Sequence, residues 1–378
     1  MKILQVHNQY KSLTGDDSVV EEEFKLLSKN GHEVIQFLKT NSELDSMGVF
    51  KKIELAKSMR SSKAVESEFR NILLTEIPDI VHVHNLFPLI SPVIIEVANK
   101  LKIPLVQTLH NYRLLCVNTL FYRQGNICED CLTGSFTNGI KHKCYNDSYL
   151  QSLLMADVIQ YHKRKGTWYE KVDAYICLSE FAKGKFIEGG IPEHKLKVKA
   201  NFVLSKNSDT EFENYFLFAG KLEEQKGLED FLELAANRPD VVFKVAGFCA
   251  VPEVFKTLDN VEYLGELPRE QLMLYMKKCK AILFLSKMYE GMPMTILEAF
   301  AHGKAVVARN RGAMSEMIVN GENGLLYSDI NQLVERVDEL ESIDSCKKLG
   351  ANAYLAYNEQ YSEEVGYRNI MEVYNSLV

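Results

Sequence analysis

The sequence predicts an α/β protein made of two parallel, doubly wound sheets, and three observations carry that expectation. Ala281–Leu285 is an apolar run of strand length, a loop and helix follow over Met288–Phe300, and Ala305–Ala308 restarts an apolar run. That order is a βαβ unit, because parallel neighbours need a crossover between them. The chain opens the same way, with a strand over Lys2–Val6, a polar loop from Gln9 to Asp17, a helix over Ser18–Leu27 and a second strand within Gly31–Phe37. Finally, 378 residues suffice for two domains, and the polar stretch Ser205–Thr210 reads as the linker between them.

Composition narrows the function classes. Hydrophobic residues at 46% and charged residues at 25% describe a globular chain, and no apolar stretch approaches the ~18 residues of a membrane helix. The first strand begins at once with no signal peptide ahead of it, so a cytoplasmic protein is expected. Residues 1–205 hold 26 Lys and Arg against 23 Asp and Glu, whereas the rest holds 18 against 28. The mildly basic first part permits an anionic surface such as the inner membrane face, with ordinary surface variation as the plain alternative. No nucleic-acid partner is expected.

Within the first part, the helix over residues 18–27 turns Val20, Phe24, Leu26 and Leu27 inward. The loop before it carries Gly15, Asp16 and Asp17 but no Gly-x-Gly-x-x-Gly, which weakens a dinucleotide reading. A basic, helix-prone stretch from Gly48 to Leu74 reads as a solvated face or a membrane-contact helix. Strands Asp79–His84 and Pro104–His110 both finish in His-Asn, so His84, His110 and Asn111 point toward one crevice. Cys116, Cys128, Cys131 and Cys144 fall within about thirty residues, and Cys128–Cys131 has the two-residue gap of a zinc knuckle. A structural zinc and free thiols both fit this spacing, with a redox role as a third reading. Lys163, Arg164, Lys165 and Trp168 form a basic-aromatic cluster suited to a lipid interface or to a rim loop. Ser179 caps a helix over Glu180–Ile187, which Gly189-Gly190 closes.

The second part starts with the strand Tyr215–Ala219, followed by Lys221 and Lys226 on the loop at its carboxyl end. Two lysines there can neutralise a diphosphate, or they are surface charges. Val241–Gly247 and Val261–Gly265 are further strands ending in glycine. In the βαβ unit, Pro293 is expected at the first helical position and Gly303 just past the helix end. Glu290 then lies at the carboxyl end of a strand, where open α/β sheets bind ligands. Glu298 sits among Ile296, Leu297, Ala299 and Phe300, and a carboxylate so placed needs a hydrogen-bond partner. Either sugar hydroxyls approach this pair while first-turn amides face a phosphate, or Glu298 pairs with a structural arginine or backbone group. The chain closes on an amphipathic helix over Ser362–Leu377 with Val365, Ile370, Val373 and Tyr374 inward.

Glu290-Gly291, Glu298, Gly303, Val306-Val307, Gly312, Glu316, Gly321 and Gly324-Leu325 together resemble the donor-binding segment of retaining GT-B glycosyltransferases of family 4, the group 1 enzymes. The resemblance implies two Rossmann-like domains facing across a cleft. It divides the chain into 1–205 for the acceptor, 206–360 for the nucleotide sugar, and a helix at 361–378 returning to the first domain. It implies a nucleotide-sugar donor of UDP or GDP type, a glycan or lipid-linked acceptor, and retaining transfer that needs no metal or other cofactor. Glu290, His110 and Lys226 are the expected catalytic residues. Gly15, Lys221, Lys226, Gly265, Glu290, Gly291, Met292, Met294, Thr295 and Glu298 are expected on the donor, and His84, Asn111 and Asp16 in the acceptor cleft. Two departures stand out: Lys221 replaces the family's arginine, and Thr14 replaces the first glycine of its paired-glycine loop. A nicotinamide oxidoreductase, a non-catalytic nucleotide-sugar-binding subunit and a nucleotide-sugar epimerase are the alternatives.

Overall fold

The computed structural model describes residues 1–11, 14–48, 55, 58–132, 135–204 and 211–378. The expected linker at 205–210 and Lys51, Lys52 and Lys57 of the basic stretch lie outside the described residues. The chain forms two compact units. The first comprises Met1–Leu120, Glu129–Asn201 and Gly366–Val378, and the second Phe121–Cys128 and Phe202–Val365.

In the first unit, strands β1 (Lys2–Gln9), β2 (Glu33–Thr40), β3 (Ile80–Val83) and β4 (Leu105–Leu109) precede the hairpin strands β5 (Tyr122–Arg123) and β6 (Asn126–Ile127) of the second. β7 (Ala174–Cys177) and β8 (Leu196–Val198) complete its sheet, which is parallel throughout in the order β2-β1-β3-β4-β7-β8. The second sheet holds β9 (Phe216–Ala219), β10 (Phe243–Ala246), β11 (Val261–Gly265), β12 (Ala281–Phe284), β13 (Ala305–Arg309) and β14 (Leu325–Tyr327). Its order, β11-β10-β9-β12-β13-β14, is again parallel. In each sheet the strand order reverses once, between β1 and β3 and between β9 and β12, the position at which open α/β sheets bind ligands.

Local chemistry explains the element ends. The opening helix runs Gly15–Lys29, longer than the hydrophobic pattern, because Thr14 and Asp17 form a reciprocal capping box. Ser179 Oγ accepts from the Ala182 amide at 3.1 Å and starts Glu180–Glu188. Pro293 is the cap of Met294–Ala301 rather than its first residue, since its ψ of 115° is still extended. Phe24 is only half-buried, whereas Glu22 and Glu23 of the same helix are buried. From Gly366 onward the terminal helix, Glu363–Asn375, belongs to the first unit: Tyr374 Oη lies 2.7 Å from His82 Nδ1 and Tyr367 Oη 2.9 Å from His32 Nε2.

Beneath the carboxyl edge of the first sheet lies a polar core. Glu23 Oε1 pairs with Lys199 Nζ, at 0% and 1% exposure. Glu23 Oε2 stands 3.4 Å from His84 Nε2 and 3.6 Å from His82 Nδ1. Thr108 Oγ1 lies 2.7 Å from the other nitrogen of His82. Desolvation holds His82 and His84 well below the usual histidine range, so both are neutral. The pair ties the first helix to the strand that ends the first sheet.

Two outcomes follow. Lys199→Met leaves a buried carboxylate without its counter-charge and should lower stability by about 3–5 kcal/mol in urea denaturation, with Glu23→Gln added to it restoring part of the loss. The two buried histidines take up protons only on unfolding, near their free value of about 6.5. Their contribution is therefore complete above that pH and is lost as pH falls below it, so the melting temperature should drop between pH 7 and 5.

Candidate active site

The second unit gathers its charged residues at the reversal between β9 and β12. The loop after β9 turns through Glu224–Lys226, and the loop after β12 runs from Leu285 to Pro293. Lys226 Nζ donates to Glu290 Oε1 at 2.7 Å, and Ser286 Oγ donates to the same oxygen at 2.6 Å. The Lys287 amide donates to the Gln225 carbonyl at 2.9 Å, joining the two loops directly. Gly227 makes this approach possible: its φ is +87°, and a Cβ there would fall 2.2 Å from the Leu285 carbonyl oxygen. Met294–Ala301 then begins beside Glu290, aiming its first amides away from the helix body.

Glycines also bind the neighbouring strand ends together. The Gly220 amide donates to the Ala246 carbonyl at 3.0 Å and the Gly247 amide to that of Gly265 at 2.8 Å. Gly247 has φ +132°, and a Cβ on it would lie 1.8 Å from the Gly220 oxygen, so no other residue fits without moving the loop. Lys221 follows, exposed, on the same edge. Glu298 Oε1 accepts from Arg269 Nη2 at 2.9 Å, and its side chain is 13% exposed. The arginine partner is therefore present, one of the two possibilities the sequence leaves open.

In the first unit, His84 Nδ1 and His110 Nε2 lie 2.9 Å apart with their rings stacked. They line a concavity with Asn85, Asn111 and Arg113. Desolvation lowers the His110 pKa to about 3, with Glu23 pulling the other way, so the ring is neutral. Asp16 Oδ1 lies 3.8 Å from His110 Nδ1. Asp17 does different work: its carboxylate meets His7 Nε2 at 2.8 Å and accepts from the Thr14 amide at 2.8 Å. Gly15 is simply the first residue of the helix.

One expectation needs revision. Trp168 is 1% exposed with its indole N–H donating to the Ile159 carbonyl at 3.3 Å, so it is a core residue and does not reach a lipid interface or a rim. The eight cysteines form no disulfide. Among the described residues, ligand-type atoms of Glu23, His82 and His84 meet within 4.8 Å. Lys199 holds Glu23, and Tyr374 and Thr108 take both nitrogens of His82, so that cluster is a buried charge pair wrapped in neutral rings. Sequence reading missed Glu23, Lys199, Arg269 and Ser286. Glu23 hides in a run of three glutamates, and no pattern distinguishes a buried one.

The comparisons agree with this architecture. A family model described as Glycosyltransferase Family 4 matches residues 17–203, and one described as Glycosyl transferases group 1 matches residues 202–356. A 42.6 kDa protein in the cps region of Klebsiella pneumoniae is 27% identical over 307 residues, 79% of this chain and 74% of its own. An uncharacterized glycosyltransferase of Methanocaldococcus jannaschii is 26% identical over 318 residues, covering 82% and 78%. Among solved structures, sucrose-phosphate synthase from Thermosynechococcus elongatus superposes with TM-score 0.69 at 15% identity over 100% of this chain and 98% of its own. Anabaena HepE in complex with UDP-glucose gives 0.65 at 16% identity over 100% of both chains. Likeness at such identity concerns the fold, which is GT-B. With the two family models running without a break from residue 17 to 356, the chain belongs to the group 1, family 4 glycosyltransferases.

Proposed function

We propose that the chain is a retaining, metal-independent glycosyltransferase that moves a sugar from a UDP- or GDP-sugar to a hydroxyl of a glycan or lipid-linked acceptor. The observation that carries this reading is the Lys226–Glu290 pair at 2.7 Å in the crevice between β9 and β12. It sets an ammonium for a phosphate beside a carboxylate for sugar hydroxyls. The UDP-glucose bound to HepE favours such a donor, and the Klebsiella relative's cps region favours an acceptor in surface polysaccharide assembly.

In this mechanism the bond from the anomeric carbon to the β-phosphate oxygen breaks while the acceptor oxygen bonds the same face. The acceptor proton passes to the departing phosphate. Lys221, Lys226 and the Met294 and Thr295 amides meet the charge that develops there, stabilising the transition state. Glu290 orients the sugar, Glu298 the ribose, and Gly15, Gly265, Gly291 and Met292 line the donor. His110, neutral, hydrogen-bonds the transferred sugar, and His84, Asn111 and Asp16 face the acceptor. Zinc on Cys116, Cys128, Cys131 and Cys144 would be structural.

Peripheral membrane contact belongs to the same proposal. No described helix is long and apolar enough to cross a membrane. Tyr149, Leu150 and Leu153 are exposed on the helix Tyr149–Arg164, soon after exposed Lys141 and Lys143, and this mixture suits an anionic bilayer surface.

Purified protein given a panel of UDP-, GDP- and ADP-sugars should slowly release nucleotide from one of them. Lys226→Ala and Glu290→Ala should each cut that rate about 100-fold; binding of NADH with no response to any nucleotide sugar would sink the assignment. His110→Ala should lower the rate without changing its pH profile between 5 and 8, because the ring is already neutral there. In flotation with anionic vesicles, Leu150→Ser with Leu153→Ser should shift the protein from the lipid to the soluble fraction, and an unchanged distribution would remove that surface from consideration.

A further inference from the structure

The hairpin β5–β6 has no place in the donor chemistry described above, yet it belongs to the second unit. The chain leaves the first unit at Leu120 and rejoins it at Glu129, and only the segment between them packs with the second. Its two strands pair as Tyr122 with Ile127 and Arg123 with Asn126. Gln124 and Gly125 turn the chain with φ of +49° and +79°, the geometry that matches the twist of a two-residue hairpin.

We propose that this hairpin is a positioning clamp on the donor loops, with Tyr122 and Phe121 as positioning residues for Lys226 and Glu290. Tyr122 Oη donates to Glu224 Oε1 at 3.2 Å, at the start of the turn that ends in Lys226. Gly125 lies alongside the same oxygen, which a Cβ there would meet at an ordinary contact distance of 3.4 Å. Phe121, fully buried, meets the Tyr289 ring edge to face with centroids 6.2 Å apart, one residue before Glu290. The hairpin thus touches both loops, at Glu224 two residues before Lys226 and at Tyr289 one residue before Glu290. Burial and the Glu224 charge raise the Tyr122 phenol to about 12, so it remains the donor at any working pH. A hairpin merely covering surface would not need a phenol aimed at an otherwise exposed carboxylate.

This inference rests on the donor reading above, and donor hydrolysis tests both. Nucleotide release from the preferred donor is measured for wild type, Tyr122→Phe, Glu224→Ala, Glu224→Gln and the Tyr122→Phe/Glu224→Ala double variant, with UDP and GDP affinity and the melting temperature alongside. Tyr122→Phe keeps the ring and removes only the hydroxyl, so folding is preserved. Tyr122→Phe and Glu224→Ala are each expected to lower kcat about tenfold, with nucleotide Kd changed less than about threefold and the melting temperature unchanged. The double variant is expected to match the singles, because both remove one contact, and Glu224→Gln, which still accepts the hydrogen bond, to stay near wild type. If wild type releases nucleotide and Tyr122→Phe equals it, or if the two losses multiply, the clamp is overturned while the donor reading stands. If wild type neither binds nor cleaves any nucleotide sugar, both are overturned.

Discussion

The reversal of strand order within each parallel sheet is the constraint on which this structure depends. Where neighbouring strands send their crossovers to opposite faces, the loops at their carboxyl ends part, and the backbone between them is left open. In the second unit the gap falls between β9 and β12, and the chain closes it partway with charge: Lys226 from one loop meets Glu290 from the other, with Ser286 holding the carboxylate from beneath. Gly227 and Gly247 allow adjoining loops to approach at backbone distance. Lys226, Glu290 and the start of the helix Met294–Ala301 thus lie together at this reversal, the donor site proposed above.

The first unit meets the same constraint with a different solution. Its reversal lies between β1 and β3, and the region beneath is polar: Glu23 and Lys199 form a fully buried pair, and His82 and His84 stand against it as neutral rings. Burying such a pair brings little net stability over apolar packing, but breaking it is severe. Its structural effect is to hold the first helix, the last strand and the terminal helix to one arrangement, from which His110 is presented beside Asn111 at the sheet edge. A neutral His110 offers one ring N–H donor and one ring-nitrogen acceptor at that edge.

Much of this was legible in the sequence where the signal is local. Apolar runs of four or five residues ending in glycine or in His-Asn marked the strands, and Ser179 and Gly303 marked helix ends, whereas the capping box of Thr14 and Asp17, which starts the first helix at Gly15, was not recognised. Glu298 was recognisable because a carboxylate in an apolar helix is conspicuous, and Glu290 because it follows a strand's carboxyl end. Other members were not. Arg269 lies twenty-nine positions from Glu298, Glu224 about a hundred from Tyr122, and Lys199 more than a hundred from Glu23. No periodicity reports on such pairs, since each residue taken alone is an ordinary polar residue. Trp168 shows the converse error: beside three basic residues it resembles an interface anchor, but a hydrogen bond to Ile159 and complete burial make it core.

By itself the sequence determined the two parallel sheets, their order along the chain and the family motif around Glu290. These follow from hydrophobic period, glycine and proline placement and short spacing, which act within a few residues. Only the tertiary structure decided that Tyr122–Ile127 joins the second unit although chain on both sides belongs to the first, that Arg269 faces Glu298, and that Glu23 and Lys199 share one buried pocket. Those choices depend on which distant surfaces exclude water together, and a burial decided by long-range packing leaves no local trace.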